Sequence, residues 1–148
     1  MTIALQLLIG ALMVGLTMVV QAGFVAAAFA VDDRVIPSRF RKSRLGGTML
    51  LASATIWMLL ALTAAAWLWA GLFMALGAFQ ELEPALYFAT VSLTTLGFGD
   101  VILSQEVRLL SAIVAANGVI MFGLSTAFLL EFVGDVREEE RATSSRNT

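Results

Sequence analysis

Apolar residues in this chain come in long blocks separated by short charged stretches. No charged residue occurs from Met1 to Val31, and none from Thr48 to Phe79. A third apolar block runs from about Arg108 to Val133. Each block is longer than the roughly 20 residues a helix needs to cross a bilayer at about 1.5 Å per residue. The pattern therefore predicts three spanning helices, over 1–31, 48–79 and 108–133. Glu81 and Glu83 mark a return to water after the second. Pro84 follows, a residue well suited to open a helix. From Pro84 to Thr95 the chain is apolar again but too short to cross, which predicts a re-entrant half-helix. The expected fold is an all-α membrane protein: three spans, with one re-entrant segment between the second and third.

Composition agrees with this pattern. Of the 148 residues 59% are hydrophobic and 14% are charged, outside the range of ordinary soluble domains. Cysteine and histidine are absent, which removes disulfides, thiol nucleophiles, zinc-finger spacing and an imidazole pH switch. Nothing in the chain assembles a catalytic constellation, and no enzyme activity or cofactor is expected.

The distribution of charge carries topology. The stretch 32–47 holds five of the nine basic residues, Arg34, Arg39, Arg41, Lys42 and Arg44. By the positive-inside rule this loop is expected in the cytoplasm, with the N-terminus outside and the 135–148 tail inside. Pro37 and Gly46-Gly47 read as its helix breaks. Ala28-Phe29-Ala30 has the form of a signal-peptide cleavage site, but no basic n-region precedes it and the apolar block is too long for a signal core. Cleavage there would also place the basic loop outside. Trp67 and Trp69, toward the far end of the second span, suit an interfacial aromatic belt. Gly10, Ala11, Gly15, Ala22, Gly23, Ala26 and Ala27 give the first helix small surfaces for packing.

The chemistry lies in Thr94-Thr95-Leu96-Gly97-Phe98-Gly99-Asp100. A phosphate-cradling loop would need a third glycine and a preceding strand, and neither is present. A dehydrated cation needs several oxygens at fixed spacing, which backbone carbonyls supply if the chain visits angles that glycine tolerates. Irregular backbone at membrane depth is admitted only where it is buried in protein or lines a watery path, so this half-helix and glycine loop imply a pore.

At this point the chain resembles the potassium-channel family, in the form of a two-transmembrane pore module with an extra N-terminal helix. Tyr87 to Leu93 is similar to the pore helix and Asn117 to Ala127 to the inner helix; the resemblance covers about 48–134. Carbonyl-ring selectivity is that family's property. The resemblance implies a homotetramer that conducts potassium passively. The carbonyls of Thr95, Leu96, Gly97 and Phe98, with the Thr95 hydroxyl, would hold K+, Gly99 would complete the filter, and Thr94 and Asp100 would flank it. Leu96 and Phe98 replace the commoner valine and tyrosine, as in two-pore-domain relatives. Phe98 cannot donate the tyrosine's hydrogen bond. Val91 stands where some members carry a glutamate that pairs with the aspartate, so that partner is expected to be missing.

Gly118 matches the family's hinge glycine and equally suits a close helix contact. Val119, Phe122 and Thr126 share one face, which by resemblance lines the cavity and otherwise packs in a core. Asn117, about 200° around the helix from Val119, is expected to brace packing against a neighbour. Glu131, Asp135 and Glu138-Glu139-Glu140 would raise cation concentration at the inner mouth or form a solvated tail. A non-selective cation channel and a non-conducting regulatory membrane subunit are the competing functions. A potassium transporter would repeat the pore loop, and one copy is present. No arginine-rich span reads voltage.

Overall fold

The computed structural model describes residues 1–35 and 44–144, with side chains from 1–30 and 45–134. Four helices follow in order: α1 Ile3–Val35, α2 Arg44–Ala75, α3 Leu82–Leu93 and α4 Leu109–Ser144. No strand occurs among the described residues. Three helices are long and apolar enough to cross a membrane, over Ile3–Ala30, Leu45–Ala75 and Leu109–Gly134. The 12-residue α3 spans only about 18 Å and cannot.

Helix ends depart from the charge boundaries for local reasons. α1 runs past Asp32 to Val35, because charge marks where a membrane ends and not where a helix must. α2 begins at Arg44, so Gly46 and Gly47 lie in its first turn and do not break the chain. It stops at Ala75, short of the expected Phe79. Gly77 (φ 71°) is the cause. Its N–H bonds to the Met74 carbonyl and the Ala78 N–H bonds to the Phe73 carbonyl, both at 2.9 Å. This is the paired closure of a Schellman turn, which needs a left-handed residue. α3 begins two residues before Pro84, still within the turn where a missing N–H is harmless. α4 passes through Gly134 to Ser144; one glycine costs about 1 kcal/mol, too little to end a helix followed by good helix formers. Of the expected basic loop, Pro37, Arg39, Arg41 and Lys42 lie outside the described residues, as do Ser145 to Thr148.

α1 and α4 run parallel: Gln6 reaches Leu109 and Gln21 reaches Ser125. α2 is antiparallel to α1, the Trp57 indole N–H donating to the Phe24 carbonyl at 2.8 Å while Gln21 reaches Met58. The beginning of α1 and the loop after α3 therefore sit at the same end of the bundle.

Two cores stack along the helices. At the α3 end, α3 turns Ala85, Phe88, Ala89 and Leu93 inward, an i, i+3, i+4 stripe. They meet Trp69 and Phe73 of α2 and Leu110, Val114 and Met121 of α4. The Phe73 ring lies 5.3 Å from Phe88, 5.9 Å from Trp69 and 6.3 Å from Phe79. Trp69 is thus a core residue, not part of an interfacial belt, while Trp67 is half exposed. At the other end Leu50, Ala54 and Met58 pack on Phe128 and Phe132.

Phe73 is fully buried and joins α2 to α3. Phe73→Ala is expected to lower stability by about 3–5 kcal/mol, read from unfolding of the detergent-solubilised protein. A loss below about 1 kcal/mol, the size of an isosteric core swap, would show that the ring cluster does not hold α3.

Candidate functional site

α3 ends at Leu93 with Thr94 as its cap, and its last carbonyls, left without partners inside the helix, receive the amides of the loop that follows. The Thr95 N–H donates to the Ser92 carbonyl at 3.0 Å. The Val91 carbonyl accepts from Leu96 at 3.1 Å and, at a longer 3.4 Å, from Gly97. The Thr94 hydroxyl donates back to the Thr90 carbonyl at 2.8 Å. The amides are thus held against α3. Among the described residues no backbone hydrogen bond ends on a carbonyl of Thr95, Leu96, Gly97, Phe98 or Gly99.

Backbone angles alternate along this loop. φ is positive at Thr95 (61°), Gly97 (52°) and Gly99 (79°), and not at Leu96 or Phe98. Alternation of this kind turns successive peptide planes over, the condition for consecutive carbonyls to line one side of the chain. A Cβ on Gly97 or Gly99 would meet nothing within 4 Å, so glycine is needed there for its angles alone. Thr95 is the unexpected member: a β-branched residue in the left-handed region costs on the order of 1–3 kcal/mol, and residue type gave no sign of it. Its hydroxyl donates to the Thr94 carbonyl at 2.6 Å, leaving the oxygen's lone pairs available as a ligand.

The far end of the loop is held by a side chain. The Tyr87 phenol donates to Asp100 Oδ2 at 2.7 Å, and Asp100 Oδ1 accepts the Val101 N–H at 3.0 Å. The partner expected to be missing at Val91 is therefore supplied from Tyr87, one helical turn earlier on the same face. Spacing of four residues before Val91 was the available signal. The Tyr87 hydrogen bond holds the Asp100 carboxyl below its ordinary 3.8, outweighing desolvation. The same bond, followed by desolvation and the Asp100 charge, raises the phenol above its ordinary 10.0. Between loop, α3 and α4 lies a half-open recess of about 310 Å³, lined in part by Tyr87, Val91, Thr95, Asp100 and Ser111.

α4 meets α3 directly behind this loop. A Cβ on Gly118 would lie 1.8 Å from the Leu93 carbonyl oxygen, so Gly118 is required by close approach. Val119, Phe122 and Thr126 lie together on the exposed face of α4, opposite the buried Leu110, Val114, Asn117 and Met121. The Thr126 hydroxyl bonds back to the Phe122 carbonyl at 2.9 Å. Asn117 braces packing as expected, and its neighbour is α1: its amide donates to the Thr17 hydroxyl at 2.8 Å. Sequence reading missed Gln6, Thr17 and Gln21 of α1, all buried, although three polar residues on one face of an apolar helix were a usable signal. Of the small residues in α1, Gly10 meets Ile113 of α4, while Gly15 and Gly23 meet nothing within 4 Å. Glu131 is exposed; the side chains of Asp135 and Glu138 to Glu140 lie outside those described.

Gly118→Ala is expected to destabilise the folded protein by more than 2 kcal/mol, on the scale of overpacking against backbone. Gly15→Ala, into open space, is expected to be neutral or slightly stabilising. Thermal unfolding of the two variants side by side checks this. For Tyr87→Phe, the Asp100 titration midpoint is expected to rise toward 3.8, measured by carboxyl NMR. In the parent protein the Asp100 pKa is depressed by the bond, so the bond's stabilisation is complete above the ordinary value and is lost as pH falls through the lowered one. At the alkaline end it is lost as pH rises through the raised Tyr87 value. A midpoint unmoved by Tyr87→Phe would mean that the bond does not form in solution.

A family model described as an ion channel matches residues 48–135, which takes in α2, α3, the loop and the spanning part of α4 and leaves α1 outside. No curated protein and no solved structure is significantly similar to the chain. The match covers more than half of the 148 residues, and with three apolar helices around a pinned re-entrant loop, the chain belongs to this ion channel family and is a multi-pass membrane protein.

Proposed function

We propose that this channel selects potassium, with Thr95-Leu96-Gly97-Phe98-Gly99 as its filter, and that it works as a homotetramer. The observation that carries the reading is the alternation of φ at Thr95, Gly97 and Gly99 in a loop whose amides are tied back to α3. The carbonyls of Thr95, Leu96, Gly97 and Phe98, with the Thr95 hydroxyl, replace a K+ ion's hydration shell. Gly99 closes the filter, and Thr94 and Asp100 hold its two ends. α3 directs its C-terminal end, the negative pole of its dipole, toward the same place.

One chain supplies one wall of such a path, and four supply a ring. Leu96 and Phe98 are 60% and 67% exposed on the single chain, apolar surface that neighbouring copies would cover. The exposed Val119, Phe122 and Thr126 line the cavity on the inner side. Gly118, the expected hinge, also touches the root of the filter at Leu93, so a bend there is felt at the ion sites. The basic stretch 32–47 places the α1–α2 connection in the cytoplasm. With α1 parallel to α4, the N-terminus and the filter then lie outside and the C-terminus inside, in the cell membrane. No cofactor takes part; K+ is the permeant ligand.

The purified protein is expected to have four times the 15.8 kDa chain mass, and its liposomes to pass K+ and exclude Na+. Gly97→Ala is expected to keep the tetramer and abolish K+ flux or admit Na+, because φ 52° is closed to a Cβ-bearing residue at low cost. Equal Na+ and K+ permeation by the parent protein would assign a non-selective cation channel. Absence of flux would assign a non-conducting regulatory subunit. Unaltered selectivity in Gly97→Ala would remove the filter from these residues.

A further inference from the structure

Among the described residues, the helix that the family match does not reach carries three of the four buried polar side chains. Gln6, Thr17 and Gln21 of α1 are 4%, 0% and 1% exposed, and each bonds to α4. The Gln6 side-chain carbonyl accepts the Leu109 N–H at 3.2 Å. The Thr17 hydroxyl accepts from the Asn117 amide at 2.8 Å and passes its own proton to the Val14 carbonyl at 2.9 Å. The Gln21 amide donates to the Ser125 hydroxyl at 2.9 Å and points a second hydrogen at the Met58 sulfur, 3.8 Å away. Between the first two rungs, Gly10 lets α1 approach Ile113, which a Cβ would meet at 2.5 Å.

Two of these rungs bracket Gly118. Asn117 precedes it directly, and Ser125 lies two turns below, beyond Phe122 on the neighbouring face. With Asn117 tied to Thr17, and Gly118 pressed against the Leu93 carbonyl, the upper part of α4 is fixed. A bend at Gly118 swings the lower part away from two α1 contacts: the apolar packing of Phe29 on Phe128, 5.4 Å between ring centroids, which is non-directional, and the directional Gln21–Ser125 hydrogen bond, which such a swing breaks. In lipid the lost bond has no water to replace it.

We propose that Gln21 is a positioning residue for conduction: through Ser125 it holds the lower half of the inner helix, and α1 thereby sets the balance between open and closed channels. Thr17 is the fixed anchor above it. This rests on the conduction reading given under Proposed function. Interhelical side-chain hydrogen bonds in membranes shift an equilibrium by about threefold on average. Four subunits moving together multiply that to tens of fold.

The test is single-channel recording from the full-length tetramer in planar bilayers, with Gln21→Leu, Ser125→Ala, the double variant and Ser125→Thr. Gln21→Leu and Ser125→Ala are each expected to shift the open-to-closed ratio at least threefold in the same direction. The double variant is expected to shift it no further than the larger single change, because one bond is lost in all three. Ser125→Thr, which keeps the hydroxyl, is expected to stay near the parent ratio. Unit conductance and the K+ to Na+ permeability ratio of the open state are expected to remain unchanged, since neither residue touches the filter and the variants alter how often the open state is visited, not its geometry. Should Gln21→Leu fail to assemble, Ser125→Ala removes a single oxygen and decides alone. Conducting variants with the parent's open-to-closed ratio overturn the inference while leaving the filter reading intact. So do additive single effects, or a loss of thermal stability with no change in gating. Parent tetramers that carry no current defeat the conduction reading and this inference together.

Discussion

The Val91 carbonyl accepts amide hydrogens from Leu96 and Gly97, and through them fixes the course of the loop as far as Gly97. Irregular backbone in a hydrocarbon layer survives only where protein satisfies its polar groups. The last turn of a helix is the natural donor of such help, since its carbonyls have no partners within the helix. α3 must therefore be short, must end where it does, and must not slide. Its fixity explains the packing around it: Leu93 is fully buried, Phe88 is held among the rings of Phe73 and Phe79, and α4 has given up a side chain at Gly118 to sit against the Leu93 carbonyl.

α1 solves a different problem. Between helices in lipid there is no hydrophobic drive to associate, because lipid tails are as apolar as leucine. Apart from one polar stripe α1 is apolar all round, and its outward residues, such as Leu8, Leu12 and Val19, are well exposed. What gives it one docking face is close approach at Gly10 and the polar rungs at Gln6, Thr17 and Gln21. Those rungs set rotation and register together, because Gln6 and Gln21 must reach Leu109 and Ser125 at once.

The spans, the re-entrant segment and the special angles at Gly97 and Gly99 were legible because each follows from a local rule: span length, charge spacing, or the freedom of glycine. That Val119, Phe122 and Thr126 share one face followed from helical periodicity; that this face is exposed and not packed in a core did not. What escaped depends on partners distant in sequence. Nothing at Thr95 itself announces a positive φ; the angle comes from the amides tied on either side of it. Tyr87 finds Asp100 across 13 residues, and Trp69 looks interfacial until α3 folds back to cover it. The end of α2 was misplaced for a local reason that was readable: Gly77 is a C-terminal cap glycine, and an apolar stretch beyond it does not extend the helix.

The departures at Leu96, Phe98 and Val91 change where this loop is held more than whether it is. A glutamate at position 91 would brace the loop from behind, and a tyrosine at position 98 would brace it from within. With neither present, the supports within one chain are the α3 carbonyls, which reach as far as the Gly97 amide, and the Tyr87–Asp100 bond at the exit. The side chains of Leu96 and Phe98 face outward, uncovered by their own chain. In the proposed tetramer these side chains would be steadied by neighbouring subunits through apolar contact, which is non-directional and tolerates small displacements better than a hydrogen bond does. Firm support up to Gly97 and at Asp100, with compliance around Phe98 between them, would make the spacing of the proposed ion sites there a property of assembly, and a movement of α4 at Gly118, against the Leu93 carbonyl, would be transmitted to them.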